Sequence, residues 1–319
     1  MSFTVAQVCR EFGRSRQAFY KYQGRLAVQT EREQQIVDRV NEIRKDQPML
    51  GTRKLQHKIN SQDKTGHGSV GRDRLYTILR RRNLLIRPSK SYIKTTNSYH
   101  RFRVYKNLIK DIDLTAPDQV YVADITYIMT LEGFCYLSLL TDLYSRKIVG
   151  YCLSKDLGIT GCLTALKMAL KGVKHPETLI HHSDRGIQYC STAYVKLLND
   201  NHIRISMTGE NHVYENAVAE RVNGILKHEF MLGERLVSFD VAKKLVAESI
   251  KIYNNERPHL SLNYRTPNDV YTETTKRYDS GRDRLKVIHT ESTSYPHKSR
   301  TYQHISDLLN MLKLKNFFR

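Results

Sequence analysis

Apolar and polar residues alternate over 120–129, in a run rich in β-branched and aromatic side chains. A period of two with that composition predicts a strand with one face buried. Glu132-Gly133 marks a turn, and 134–140 and 147–153 predict two further strands, so the three form an antiparallel meander. Beyond residue 158 helical and strand patterns alternate: a helix over 160–170, a short strand over 178–182, a helix over 192–199 and a strand over 203–206. Two longer helices close the pattern, over 216–230 and 241–254.

The first third of the chain reads as helices only. Thr4 caps a short helix with Val5, Val8 and Phe12 on one side, Gly13-Arg14 turns the chain, and Ser15 caps a second helix carrying Arg16, Gln17, Tyr20, Lys21 and Tyr22. That is a helix-turn-helix over residues 1–28, with short polar and basic residues where major-groove reading requires them. A second helical unit covers 29–85. Ile36, Val40 and Ile43 stripe a helix over 31–45, and Pro48 and Gly51 break it. A short helix follows over 52–60, then a loop over 61–68. Ser69 is expected to cap a helix over 70–82, with Leu75, Ile78 and Leu79 inward and Arg72, Arg74, Arg80, Arg81 and Arg82 outward. Residues 86–117 read as a basic linker, 118–272 as the strand-and-helix domain, and 273–319 as a basic tail. The order of elements predicts an α/β fold: a ribonuclease-H-like mixed five-stranded sheet with flanking helices, preceded by small all-α modules.

Charge adds a partner to this picture. The 319 residues carry a net charge of +20, but unevenly. Residues 1–120 hold 25 Lys and Arg against 11 Asp and Glu, whereas residues 121–270 hold 17 against 16. A near-neutral α/β domain with basic attachments suggests catalysis on a polyanion, and the arginines of the 70–82 helix suit phosphate contact. No apolar run is long enough to cross a membrane, the start is not a secretory signal, and the five cysteines show no CxxC spacing. These features point to a cytoplasmic, nucleoid-associated protein with reduced thiols and no membrane partner.

Three acids carry the candidate chemistry. Asp124 lies inside the first strand, where an unpaired charge is costly. Asp184 follows the 178–182 strand at its carboxyl end, where open α/β sheets place their sites. Glu220 lies 36 residues beyond Asp184, on a helix whose apolar stripe is Val218, Val222, Ile225, Leu226 and Phe230. Glu220, Asn223 and Lys227 line another edge of that helix at spacings of three and four. Taken singly, each acid is equally a strand-end ion pair, a turn aspartate or a surface glutamate. Together they suit two Mg²⁺ ions about 3.5–4 Å apart, with Mn²⁺ as substitute, for in-line displacement at phosphorus. Asp124 would be shared between the ions, with Asp184 and Glu220 each completing one shell. The chain lacks GxxxxGK[ST], a strand-linked GxGxxG, GxSxG and HExxH. His181-His182 is a poor metal pair, because neighbouring strand residues point to opposite faces.

The motifs Leu50-Gly-Thr-Arg-Lys54, Val122-Ala-Asp-Ile-Thr-Tyr127, Thr141-Asp-Leu-Tyr-Ser-Arg-Lys-Ile-Val149 and His182-Ser-Asp-Arg-Gly186 recur here in a familiar order. Glu215-Asn-Ala-Val-Ala-Glu220, Asn223-Gly-Ile-Leu-Lys227 and Tyr253-Asn-Asn-Glu-Arg-Pro-His259 continue it. Over residues 30–272 the chain closely resembles the DDE transposases of the third insertion-sequence family, in their integrase-like catalytic product. The resemblance implies that Asp124, Asp184 and Glu220 are the metal-binding catalytic triad. It implies cleavage at element ends to free a 3′-hydroxyl, which then attacks another phosphodiester, with the protein acting as a homo-oligomer on double-stranded DNA. The DNA would comprise terminal inverted repeats and target, and an upstream reading frame often supplies a partner or fusion protein. Asn216, Asn223, Lys227, Arg257 and His259 match motif positions near the active site or DNA. Arg16, Arg53, Lys54, Arg72, Arg74, Arg80 and Arg81 complete the expected DNA contacts. Arg221-Val222 departs from the Ser-Phe usual after the catalytic glutamate. A ribonuclease-H-fold nuclease or resolvase, and a catalytically dead DNA-binding regulator, are the alternatives.

Overall fold

The computed structural model describes residues 4–63, 69–86, 102–110, 112–209 and 216–279. Thr4 and Gln7 close a capping box on α1 (Val5–Glu11), each side chain accepting from the other's backbone N–H. Gly13 takes φ +61° at the expected turn, and Ser15 caps the next helix by accepting from the Ala18 N–H. That helix, α2 (Arg16–Asp46), continues for 31 residues, so the expected boundary between residues 28 and 29 falls inside one helix. Strong helix formers fill the stretch, and one Gly costs only about 1 kcal/mol. Its surface over residues 20–32 is exposed, so no apolar stripe announces it.

Beyond it lie α3 (Thr52–Gln62) and α4 (Arg72–Arg81). Gly71 occupies the N-cap of α4, so the expected capping by Ser69 is not realised. Val40 and Ile43 of α2, Leu55 and Ile59 of α3, and Leu75, Ile78 and Leu79 of α4 share one buried core. Of the expected linker, residues 87–101 and 111 lie outside the described residues. Much of the remainder is packed. Ile109, Ile112 and Leu114 lie on Val120 and Val122, and the Leu108 N–H donates to Ser206 Oγ at 2.9 Å.

The α/β domain begins with β1 (Val120–Thr130), β2 (Gly133–Asp142) and β3 (Ile148–Ser154), followed by α5 (Ile159–Leu170). Next come β4 (Ile180–Ser183), the short α6 (Ile187–Cys190), α7 (Thr192–Asp200) and β5 (Arg204–Met207). Helices α8 (Ala217–Glu229), α9 (Phe239–Asn255) and α10 (Pro267–Asp279) follow. The five strands form one sheet in the order β3-β2-β1-β4-β5. The meander is antiparallel, and β1–β4 and β4–β5 are parallel. This is the mixed ribonuclease-H-like sheet expected from the element order.

Alternation along the strands feeds two cores. Tyr121, Ala123 and Leu140 pack with Ala165 and Leu166 of α5 and Tyr194 and Leu198 of α7. Ile128, Leu137 and Leu139 pack with Val222, Ile225 and Leu226 of α8 and Val246 and Ile250 of α9. The first layer is tight at Gly150, where an added Cβ would lie 2.2 Å from the Ala165 carbonyl oxygen. The α10 helix crosses the expected boundary at residue 272. Residues 280–319 of the expected tail lie outside the described residues.

Candidate active site

In the parallel pair, Ala123 of β1 stands opposite Ser183 of β4. Asp124 and Asp184 each come one residue later, at the carboxyl end of the shorter strand. Their neighbourhood follows from strand register alone. Asp184 Oδ1 accepts from the Gly186 N–H at 2.9 Å. An added Cβ at residue 186 would lie 2.9 Å from that oxygen, so glycine leaves room for the bond. Asp124 Oδ1 accepts from the Ile125 N–H at 2.9 Å, and its Oδ2 accepts from Asn223 Nδ2 at 2.7 Å.

Two amides pin α8 across β1. Asn216, at the N-cap, donates from Nδ2 to the Ala123 carbonyl at 3.3 Å, and Asn223 donates to Asp124 about two turns later. Glu220 rides between them on the same helix, exposed, while Val222, Ile225 and Leu226 are buried beneath. Both asparagines are buried themselves.

The three acids feel one another. Burial pushes the Asp124 carboxyl up to about 7, and the charges of Asp184 and Glu220 add to the shift. The hydrogen bonds from Ile125 and Asn223 oppose it. Glu220 is raised as well, by partial burial and then by Asp184. Lys227 is lowered by burial, although Asp124 pulls the other way. Its Nζ lies 3.6 Å from the Tyr127 ring centroid.

A hard divalent cation would relieve this repulsion, and all-oxygen donors suit Mg²⁺. The donor set therefore fits such an ion. Among the described residues, no three His, Cys, Asp or Glu side chains converge closely enough to hold a metal. Asp124 and Asp184 are each held by a backbone N–H, and Glu220 is exposed on α8. Residues 210–215, including Glu215 of the motif, lie outside the described residues. His181 and His182 turn to opposite sides: His181 Nε2 meets the Tyr194 hydroxyl at 2.9 Å, and His182 Nδ1 meets Ser206 Oγ at 2.8 Å.

The expected DNA contacts separate into two groups. Arg16, Arg53, Arg72, Arg74, Arg80 and Arg81 are exposed. Arg72 pairs with Asp73 at 2.9 Å, Arg74 and Arg81 both approach Glu33, at 3.7 and 3.8 Å, and Arg80 lies over the Tyr76 ring. Lys54 and Arg257 are buried and cannot serve as surface contacts. Arg257 forks onto Glu229 of α8, Nε to Oε2 and Nη2 to Oε1, each at 2.8 Å. Lys54 Nζ reaches Glu229 Oε1 at 2.6 Å.

Burial alone would raise Glu229, but the hydrogen bond and charge of Arg257 and those of Lys54 hold it below the usual carboxylate range. Lys54 is lowered too, by burial and then by Arg257, so its own shift does not report a favourable pair. The bidentate geometry makes Arg257 the main partner. His259 is pushed down to about 4 by burial and then by the Arg257 charge. Asn223 touches Asp124, a contact inside the protein. Glu229, Tyr76 and Tyr127 were not singled out from the sequence. An acid ending a helix otherwise rich in site residues was the available signal for Glu229.

Sheet order, strand register and the α8 helix define an integrase-type catalytic core. Family profiles described as Integrase core domain match residues 115–212 and 201–267. A relative from Shigella sonnei, the insertion element IS600 uncharacterized 31 kDa protein, is 34% identical over 267 residues, 82% of this chain and 96% of that protein. The transposase InsF for insertion sequence IS3A of Escherichia coli (strain K12) is 35% identical over 183 residues, 57% of this chain and 64% of its own length. The chain belongs to the IS3 family of DDE transposases. Among solved structures, the HTLV-2 integrase catalytic core domain in complex with magnesium matches 49% of this chain and 97% of its own, with 16% identity and a TM-score of 0.40. No helix among the described residues is long and apolar enough to cross a membrane.

Proposed function

We propose that this protein is the DNA transposase of an insertion sequence, with Asp124, Asp184 and Glu220 as its catalytic triad. The observation that supports the reading is that Asp124 and Asp184 each follow the paired Ala123 and Ser183 of adjoining parallel strands, with α8, which bears Glu220, pinned to β1. The three carboxylates would hold two Mg²⁺ ions, or Mn²⁺ in their place. Bound there, such ions activate the attacking oxygen and stabilise the leaving one in displacement at phosphorus. Asn223 fixes the Asp124 carboxylate, and the Gly186 N–H fixes that of Asp184.

The DNA substrate is the double-stranded terminal inverted repeat of the element, then its target. The exposed arginines of α2, α3 and α4 supply sequence-independent phosphate contact and hence a steep salt dependence. Assembly as a homo-oligomer on DNA, with an upstream-frame product completing it, and a cytoplasmic, nucleoid-associated location belong to the same reading.

A strand-transfer assay on the repeats that flank the gene tests it. Joined product is expected with Mg²⁺, none with chelator, and none from Asp124→Asn, Asp184→Asn or Glu220→Gln. End-specific joining retained by Asp184→Asn sinks the triad. Hydrolysis without joining, on DNA lacking element ends, favours a nuclease instead.

A further inference from the structure

A cleft of about 960 Å³ lies between the helical module and the β1–α8 edge of the catalytic core. Tyr76 and Arg80 of α4 line one wall, and Tyr127 of β1 and Lys227 of α8 line the other. Both walls carry the same pairing of a cation with a phenol ring. Arg80 Cζ lies 5.0 Å from the Tyr76 ring centroid, and Lys227 Nζ lies 3.6 Å from that of Tyr127. Glu229 also lines the cleft, but its charge is already met by Arg257 and Lys54. The cleft adjoins the acids: Lys227 lies about one turn beyond Asn223, which donates to Asp124, and Tyr127 lies three residues beyond Asp124 on β1.

Its size decides what can enter. Small-molecule pockets run to roughly 300–1,000 Å³, so the space suits a few flat rings with their phosphates. Aromatic faces beside cations are the chemistry that binds single strands: the bases stack, and the cations meet the backbone. Placed beside a site for phosphodiester chemistry, such a cleft would hold the strand from which the reacting phosphate has been exposed.

We propose that the cleft between Tyr76–Arg80 and Tyr127–Lys227 binds unpaired nucleotides of a DNA strand next to the phosphate presented to the carboxylates. The proposal rests on the DNA reading above and adds a subsite to it: the end must open locally, and both the helical module and the core grip the opened strand.

The test compares a blunt duplex with the same duplex bearing a short single-stranded thymidine tail. Binding to the full chain is read by fluorescence anisotropy, with chelator present so that no chemistry contributes. The tail is expected to raise affinity. Tyr76→Ala and Tyr127→Ala are each expected to weaken the tailed duplex by ~5-fold or more, leaving blunt-duplex affinity in place. Tyr76→Phe and Tyr127→Phe, which keep the ring, should retain the gain and show that the alanine effect is not misfolding. The subsite is overturned if the tail adds nothing, or if the alanine variants weaken both duplexes equally. Failure to bind even the blunt duplex overturns the DNA reading together with the subsite, which distinguishes the two failures.

Discussion

Arg257 grips Glu229 with two parallel hydrogen bonds of 2.8 Å, and Lys54 reaches the same carboxylate from the helical module at 2.6 Å. The Met49 N–H adds a bond to the Glu229 carbonyl at 3.1 Å. The carboxyl end of α8 is therefore where the helical module is fastened to the catalytic core. The same helix bears Glu220, so the fastening also fixes the element that presents a triad acid.

Removing one member of this buried set should strand the others without compensation. Arg257→Leu is expected to lower stability by about 3–5 kcal/mol, measured by urea unfolding. An Arg257→Leu protein of unchanged stability that merely binds DNA less well would restore the surface role and refute the buried one.

Asn223 is the nearest test of the site itself. Losing its hydrogen bond frees the Asp124 carboxylate, and changes to such supporting partners typically cost 10–100-fold in metal affinity or activity. Asn223→Ala should therefore reduce strand transfer by about 10–100-fold with little change in melting temperature. A full-rate variant removes Asn223 from the site.

Gly150 tests the packing of α5 on the sheet. An added Cβ would meet both the Ala165 carbonyl oxygen and the Ala169 side chain, at 2.2 and 2.9 Å. Backbone on both sides must move, so Gly150→Ala should lower stability by about 1–3 kcal/mol in chemical denaturation. A neutral substitution would show that α5 is free to shift.

The contribution of neutral His181 to stability should fall in mild acid, against the opposite contribution of the raised Asp124 carboxyl. Burial pushes this imidazole down to about 3, with His182 adding repulsion, whereas an unfolded histidine titrates near 6.5. Between those values the unfolded chain binds the extra proton. Stability contributed by neutral His181 is thus full above about pH 6.5 and declines as pH falls toward 3, by at most about 1.4 kcal/mol per unit. Urea midpoints at pH 7 and pH 5 measure the slope. The difference between the wild-type slope and that of His181→Leu reads this contribution, and identical slopes refute it.

The catalytic domain was far more legible in the sequence than its fastenings. The strand at β1 shows itself because its residues alternate between two packed faces, and Asp124 stands out as an acid inside a strand and Asp184 as one just past a strand's end. Their proximity also follows from the parallel pairing. The long α2 was read as two helices because its middle faces solvent on all sides, leaving no apolar stripe to follow. Four-residue α6 is too short for a periodic signal, and α10 mixes polar residues without a clear stripe. Lys54 and Arg257 read as phosphate contacts because a basic residue in a motif looks alike whether exposed or buried. Their common partner, Glu229, is 175 residues from one and 28 from the other, a relation that only the folded chain displays.

The unbroken α2 has a geometric consequence. Only from Ile36 onward is it packed into the core of the helical module. Glu33 still meets Arg74 and Arg81 of α4, so residues 16–32 form a helical boom of roughly 25 Å carrying α1 and Arg16. Because the boom is a helix, length and phase are inseparable. Deleting a single residue from it would draw Arg16 in by about 1.5 Å and swing it about 100° around the axis. In the DNA reading proposed above, where this arm meets DNA is thus dictated by residue count as much as by residue identity.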